Sequence, residues 1–207
     1  MVFKDRQEAG HALSKALANF VDENPILLAL PRGGVPIAKV VSGVLNAPVD
    51  LAIARKIGHP QQPEYAIGAV SEDGVVAINE REREAVPPLW LEQEIQRQIE
   101  VAREYRIKYW GVRQRLPIHG RTVILLDDGI ATGYTMLAAV RSVRSQGAQR
   151  VIVAAPVAAP QTREKLCHEA DECIFLQTPE DFRAVGYYYR DFFPVGDEEV
   201  IRLLALT

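Results

Sequence analysis

The chain has 207 residues, 48% of them apolar, enough for one globular unit with a core of its own. Lys and Arg number 24 against 27 Asp and Glu, and the net charge of −3 excludes a generic nucleic-acid or membrane binder: any polyanion must meet a local cluster of cations. No apolar run approaches the roughly 20 residues that cross a bilayer, MVFKDRQEAG has charges where a signal peptide has an apolar stretch, and the two cysteines, Cys167 and Cys173, suit reduced thiols, so a cytoplasmic protein is expected.

Gln7 to Val21 reads as a helix with Ala9, Leu13, Ala16, Leu17 and Phe20 on one face. ILLAL (Ile26 to Leu30), bounded by Pro25 and Pro31, is too short for a helix and suits a strand buried on both faces. PRGG follows, then a helix over Val35 to Leu45 with Pro36 in its first turn, then the strand VDLAIA (Val49 to Ala54). Strand, helix and strand in this order make a right-handed crossover in a parallel sheet. The next stretch, with Gly58, Pro60 and Pro63, reads as a loop over 57 to 63. A hairpin is expected after it, with Ala66 to Ser71 and Val75 to Ile78 flanking Glu72-Asp73-Gly74.

Pro87 and Pro88 introduce a long helix over Leu89 to Tyr109, whose apolar residues Leu91, Ile95, Ile99, Ala102, Tyr105 and Tyr109 recur every three or four positions. Strands return at Thr122 to Leu126 and Val151 to Ala155, separated by a helix over Thr135 to Gln146 that ends at Gly147. A helix over Gln161 to Glu169, a strand at Glu172 to Leu176, an irregular aromatic stretch and a helix from Asp197 complete the pattern. The fold class is α/β: a mainly parallel sheet flanked by helices in a single domain over 1–207, with a small hood over 178–196 and an inserted hairpin and long helix over 64–112.

In open parallel sheets the site lies beyond the carboxyl ends of the strands, where PRGG and DDGIATGYT both fall. Gly129 and Gly133 allow sharp turns, and a helix beginning near Tyr134 turns its N–H groups and dipole toward an anion, with Thr132 and Thr135 as further donors. Three charge-assisted bonds at about 1.5–3 kcal/mol each, set against an association cost of at least ~4 kcal/mol, leave a phosphate alone weakly held. The loop therefore needs the rest of its ligand. Asp127 and Asp128 can accept bonds from vicinal sugar hydroxyls, directly or through Mg2+ and its waters, which points to a phosphorylated sugar. Two other readings fit the bare residues: a helix N-cap with a buried aspartate, and a magnesium site of another nucleotide fold. Neither GxxxxGK[ST] nor GxGxxG is present.

VILLDDGIATGYT closely resembles the phosphoribosyl diphosphate (PRPP) signature of the type I phosphoribosyltransferases, and the whole pattern looks like a group of bacterial members whose acceptor is unassigned. The resemblance implies that Asp127 and Asp128 face the ribose hydroxyls and that Ala131, Thr132, Gly133, Tyr134 and Thr135, following Gly129, wrap the 5-phosphate. LPRGGVPIA is similar to the pyrophosphate loop of bacterial xanthine-guanine enzymes, which implies that Arg32, Gly33 and Gly34 meet a diphosphate. Arg55 and Lys56 resemble the start of the mobile catalytic loop of the orotate enzymes.

By the same resemblance the reaction is a Mg2+-dependent transfer of the 5-phosphoribosyl group of PRPP to a nitrogen nucleophile, with pyrophosphate released. Arg32, Arg55, Lys56, Asp127 and Asp128 would carry it, the aspartates reaching the metal through ribose hydroxyls or water. The hood would select the acceptor with residues such as Phe182, Tyr187, Tyr188, Tyr189, Phe192 and Phe193. Purine enzymes place a lysine after the strand before the hood, where this chain has APVAAPQT, which argues against a 6-oxopurine. A PRPP-sensing regulator or binding module is the alternative, and the resemblance allows a homodimer.

Overall fold

The computed structural model describes residues 1–111 and 113–205; residue 112, which closes the expected insert, and residues 206 and 207 lie outside it. Its centre is a five-stranded parallel sheet in the order β2-β1-β6-β7-β8, formed by β1 (Ile26–Ala29), β2 (Val49–Leu51), β6 (Thr122–Leu126), β7 (Arg150–Val157) and β8 (Glu172–Gln177). Alternation along the strands sorts their side chains to two faces. Leu27, Ala29, Ile124, Leu126, Ile152 and Ala154 share one core with helices α1 (Arg6–Ala16), α2 (Gly34–Leu45) and α7 (Asp197–Leu204). Ile26, Leu28, Val123, Leu125, Val151 and Val153 face a second core with α5 (Tyr134–Ser145) and α6 (Pro160–Glu169). The expected mainly parallel sheet flanked by helices is thus present, with helices on both sides.

A second sheet, antiparallel in the order β3-β4-β5, comprises β3 (Ala54–His59), β4 (Gln62–Ser71) and β5 (Val76–Ile78). It changes the reading of residues 57 to 63, expected as a loop: most of them lie in a β3–β4 hairpin turning at 60–61. Gly58 marks a register irregularity, and Ile57 is buried beneath the long helix α4 (Pro88–Trp110) with Ile67, Val70, Leu91 and Ile99. The Gly and Pro that suggested a mobile loop belong instead to a bulged strand pair.

VDLAIA also divides, since β2 ends at Leu51 and Ala54 opens the second sheet. The first helix stops at Ala16 rather than Val21; the chain tightens into a 3-10 turn over Ala18–Glu23 and closes at Asn24, left-handed at φ 47, as it swings into β1. A short helix, α3 (Glu80–Ala85), escaped the sequence reading.

Helix α4 is held to both sheets by a buried charge cluster. Arg106 pairs with Asp50 of β2 at 2.5 Å and with Glu72, at the end of β4, at 2.6 Å, while Arg115 reaches Glu72 at 2.9 Å. The Leu116 amide donates to Asp50 at 2.9 Å. The aromatic stretch 178–196 contains a 3-10 turn, Val185–Tyr188, and is stitched to the N-terminus: the Phe3 amide donates to the Tyr188 carbonyl and the Arg190 amide to that of Phe3, both at 2.8 Å. Among the described residues no helix is long and apolar enough to cross a membrane.

Candidate functional site

Strands β1 and β6 are neighbours at the sheet centre, with Ala29 paired to Leu126, so the turns that follow them meet at one carboxyl edge. The glycine pair makes the approach possible. A methyl group on Gly33 would collide with the Asp128 carboxylate and one on Gly34 with the Leu126 carbonyl. The Pro31–Arg32 peptide bond, in the turn after β1, is cis.

After β6 the chain passes Asp127, Asp128 and Gly129, and exposes Ala131 and Thr132 before Gly133, left-handed at φ 76, starts α5. No side chain caps that helix, so its first-turn N–H groups point out of the loop at the place where an anion is best received. Thr162 of α6 braces the loop by donating its hydroxyl to the Ala131 carbonyl at 2.5 Å. Tyr134 and Thr135 stand half-buried in the first turn.

The acidic pair is asymmetric. Asp127 is half-buried and its Oδ1 accepts from the Asp128 amide at 2.9 Å. Asp128 is buried, and its Oδ2 accepts from Arg6 Nε at 2.7 Å in a pair whose side chains are only 13% and 12% exposed. Arg6 also donates to the Phe193 carbonyl at 2.8 Å and lies 4.0 Å over the Phe192 ring, while the Tyr189 hydroxyl donates to the Asp128 carbonyl at 2.6 Å. Burial, reinforced by the Asp128 charge beside it, pushes the Asp127 carboxyl well above the usual carboxylate range. Burial raises Asp128 as well, with Arg6 opposing the shift, and it also raises the Tyr189 hydroxyl.

Arg32, Arg55, Tyr105 and Tyr109 line a cavity of about 100 Å³ with Pro31, Ile53 and Ala54. Arg55 lies 5.0 Å over the Tyr105 ring and approaches Gln98 at 3.4 Å. A neighbouring cleft of about 500 Å³ takes in Pro31, Arg55, Lys56, His59, Trp90 and Thr135, so it joins the turn after β1, the β3–β4 hairpin, α4 and the first turn of α5. Lys56 is turned to Glu64 at 3.2 Å. Arg32 lies 3.6 Å from Asp197, which also accepts from Lys108 Nζ and the Tyr109 hydroxyl, both at 2.5 Å. These last two bonds hold the Asp197 carboxyl below its usual range.

The turn 31–34 and residues 127–135 are therefore gathered at one edge, Arg55 joins Arg32 in one cavity, and Lys56 stands further out on the hairpin. Sequence reasoning missed Arg6 and Thr162, and it gave other roles to Tyr189, expected as a hood ring, and to Tyr105 and Tyr109, expected as part of the apolar face of the long helix. Arg6 left one trace: it is a cation in the first turn of α1, where the helix dipole disfavours it, so its position must be justified elsewhere. The donor set suits Mg2+ held chiefly by phosphate oxygens and water. Among the described residues no three His, Cys, Asp or Glu side chains group to hold a metal, and the adjacent carboxylates Asp127 and Asp128 would be the partial shell that Mg2+ accepts.

The family model described as "Phosphoribosyl transferase domain" matches residues 4–191. Rv0571c of Mycobacterium tuberculosis (strain H37Rv), named provisionally as a phosphoribosyl transferase, is 39% identical over 212 residues that take in 98% of this chain and 46% of that protein. The chain thus spans about half the length of the curated relatives it matches. The crystal structure of TT1426 from Thermus thermophilus is similar at 43% identity with a TM-score of 0.84, covering 99% of this chain and 98% of that one. A purine phosphoribosyltransferase from Pyrococcus horikoshii shares the fold at 16% identity and a TM-score of 0.50, over 92% and 91% of the two chains.

Proposed function

We propose, from the premise that this chain belongs to the phosphoribosyl transferase family, that it moves the 5-phosphoribosyl group of PRPP to a nitrogen nucleophile and releases pyrophosphate. The observation that carries the reading is the convergence of the glycine turn after β1 on the acidic pair after β6. A diphosphate turn and a sugar-phosphate loop at one strand edge suit a ligand with phosphates at both ends of a ribose.

In this reading the N–H groups of 131–135 and the N-terminus of α5 hold the 5-phosphate. Asp127 accepts from a ribose hydroxyl, and Asp128, clamped by Arg6 and Tyr189, fixes the other side of the sugar. Arg32 and Arg55 meet the pyrophosphate, and Lys56 joins them by exchanging Glu64 for it. As the bond from C1 to the pyrophosphate oxygen breaks and the bond to nitrogen forms, the oxygen leaves with the electron pair and positive charge grows on the ribose. Placement and charge complementarity lower that barrier, and no covalent protein nucleophile is required. Bound through Asp127 and Asp128 by way of hydroxyls or water, Mg2+ would supply charge neutralisation on the pyrophosphate.

The acceptor would enter beside residues 178–196. Tyr189 and Phe192 are committed to the clamp on Asp128, and Phe182 stacks on Tyr188 with centroids 5.7 Å apart, which leaves Tyr187, 66% exposed, and Phe193, 76% exposed, as the aromatic rings offered to a flat heterocycle. The test is pyrophosphate release from PRPP and Mg2+ across purines, orotate, uracil, nicotinate, anthranilate and ammonia, with PRPP binding measured in parallel. Release with one acceptor is the expected result. Binding without release would favour a PRPP sensor, and no binding would overturn the reading.

A further inference from the structure

The long helix α4 carries a further cation, Lys108, beside the cavity of Arg32 and Arg55. Lys108 lies 5.9 Å over the ring of Tyr105, a wall of that cavity, and its ammonium group is bonded to Asp197 at 2.5 Å. The same carboxylate accepts from Tyr109 at 2.5 Å and faces Arg32 at 3.6 Å. One carboxylate therefore bridges the turn after β1 and the inserted helix, in the place where a larger anion would touch both. Asp197 opens the eight-residue helix α7, where the dipole favours a negative group whether or not it is paired. Lys108 and Arg32 are each 51% exposed, so their bonds to Asp197 are of the weak, exchangeable kind.

We propose that Lys108 is a further pyrophosphate-binding residue and that Asp197 is the counter-ion it gives up when the diphosphate arrives. The inference rests on the phosphoribosyl transfer reading. A diphosphate carries more charge than a carboxylate and makes charge-assisted bonds to several cations together, so it displaces Asp197 from Arg32 and Lys108. Tyr109 keeps the released carboxylate on α7.

The test is calorimetric binding of inorganic pyrophosphate with Mg2+ to the full chain. Because an exposed ion pair is worth about two- to fivefold in an equilibrium constant, Asp197→Asn, which frees two cations, is expected to bind about three- to tenfold tighter than the native chain, and Lys108→Gln about two- to fivefold weaker. Glu198→Gln removes the same charge from the same helix turn without the contact, so it should shift affinity less than twofold. A thermal melt shows that each variant is folded. Unchanged affinity in Asp197→Asn, an equal gain in Glu198→Gln, or unchanged affinity in Lys108→Gln would overturn the inference while leaving the reaction in place. No pyrophosphate binding by any of these chains would overturn both.

Discussion

In the proposed site the groups that residues 127–135 offer to the sugar phosphate are mostly backbone, contributed by one unbroken stretch after β6 and packed on the glycine turn after β1. At the proposed pyrophosphate end they are side chains from three separate places, Arg32, Arg55 and the α4 residues Tyr105, Lys108 and Tyr109, with Asp197 of α7 as counter-ion. A backbone site has few tolerable substitutions, because any added atom occupies ligand or strand space. A side-chain site can lose one member and keep the rest. The first should therefore fail abruptly on mutation and the second by degrees.

The sharpest way to break this comparison is Gly133→Val. The residue is left-handed at φ 76, and a side chain would strike Thr162, so PRPP binding should fall beyond detection by calorimetry in a chain that still melts cooperatively. Normal binding would place the phosphate loop elsewhere. Arg6→Ala comes next. It leaves the buried Asp128 carboxylate without its cation, a loss of about 3 kcal/mol, which corresponds to a drop of about 6–12 °C in melting temperature for a chain of this size. A drop under ~2 °C would show that the clamp is not needed.

Arg55→Ala sharpens the other half. Removing one of several cations should weaken Mg2+-pyrophosphate binding about tenfold without abolishing it, and complete loss in titration would make that end as brittle as the first. The smallest effect concerns Asp127, whose carboxyl is pushed up by burial and by Asp128, with Arg6 the nearby cation. An acid whose pKa is raised on folding holds its proton more tightly in the native state, so stability falls as pH rises from the unfolded value through the folded one. In EDTA, Asp127→Asn should melt about 2–4 °C higher than the native chain at pH 8, with the gap closing toward pH 4. A gap independent of pH would remove the electrostatic cause.

The same contrast decides what could be read from the sequence. Strands β1, β6 and β7 are short runs of aliphatic residues buried on both faces, and the acid pair, glycines and threonines occupy one contiguous segment, so both pattern and motif survive in one dimension. Residues 57–63 mislead because glycine and proline mark a bulged strand pair as readily as a loop, and only burial of Ile57 under α4 distinguishes the two. Arg6 is separated by 122 positions from the Asp128 carboxylate it clamps, and Tyr189 by 61 from the Asp128 backbone carbonyl it donates to, and no local periodicity carries such pairings. The long helix was legible as a helix, but the cavity wall made by Tyr105 and Tyr109 requires knowing where Arg32 and Arg55 fall.

The cluster of Arg106 with Asp50, Glu72 and Arg115 has a consequence for how the molecule comes apart. Its members sit on β2 of the parallel sheet, at the end of β4 in the antiparallel one, and on or just beyond α4, and separating the sheets would strand charges whose side chains are 11% exposed or less, apart from Arg115. Such a separation costs about as much as a large share of a domain's net stability. The antiparallel sheet with α4 and the parallel sheet should therefore exchange their slowest amide hydrogens together and unfold in one transition, as a single cooperative unit rather than as a core with a detachable appendage.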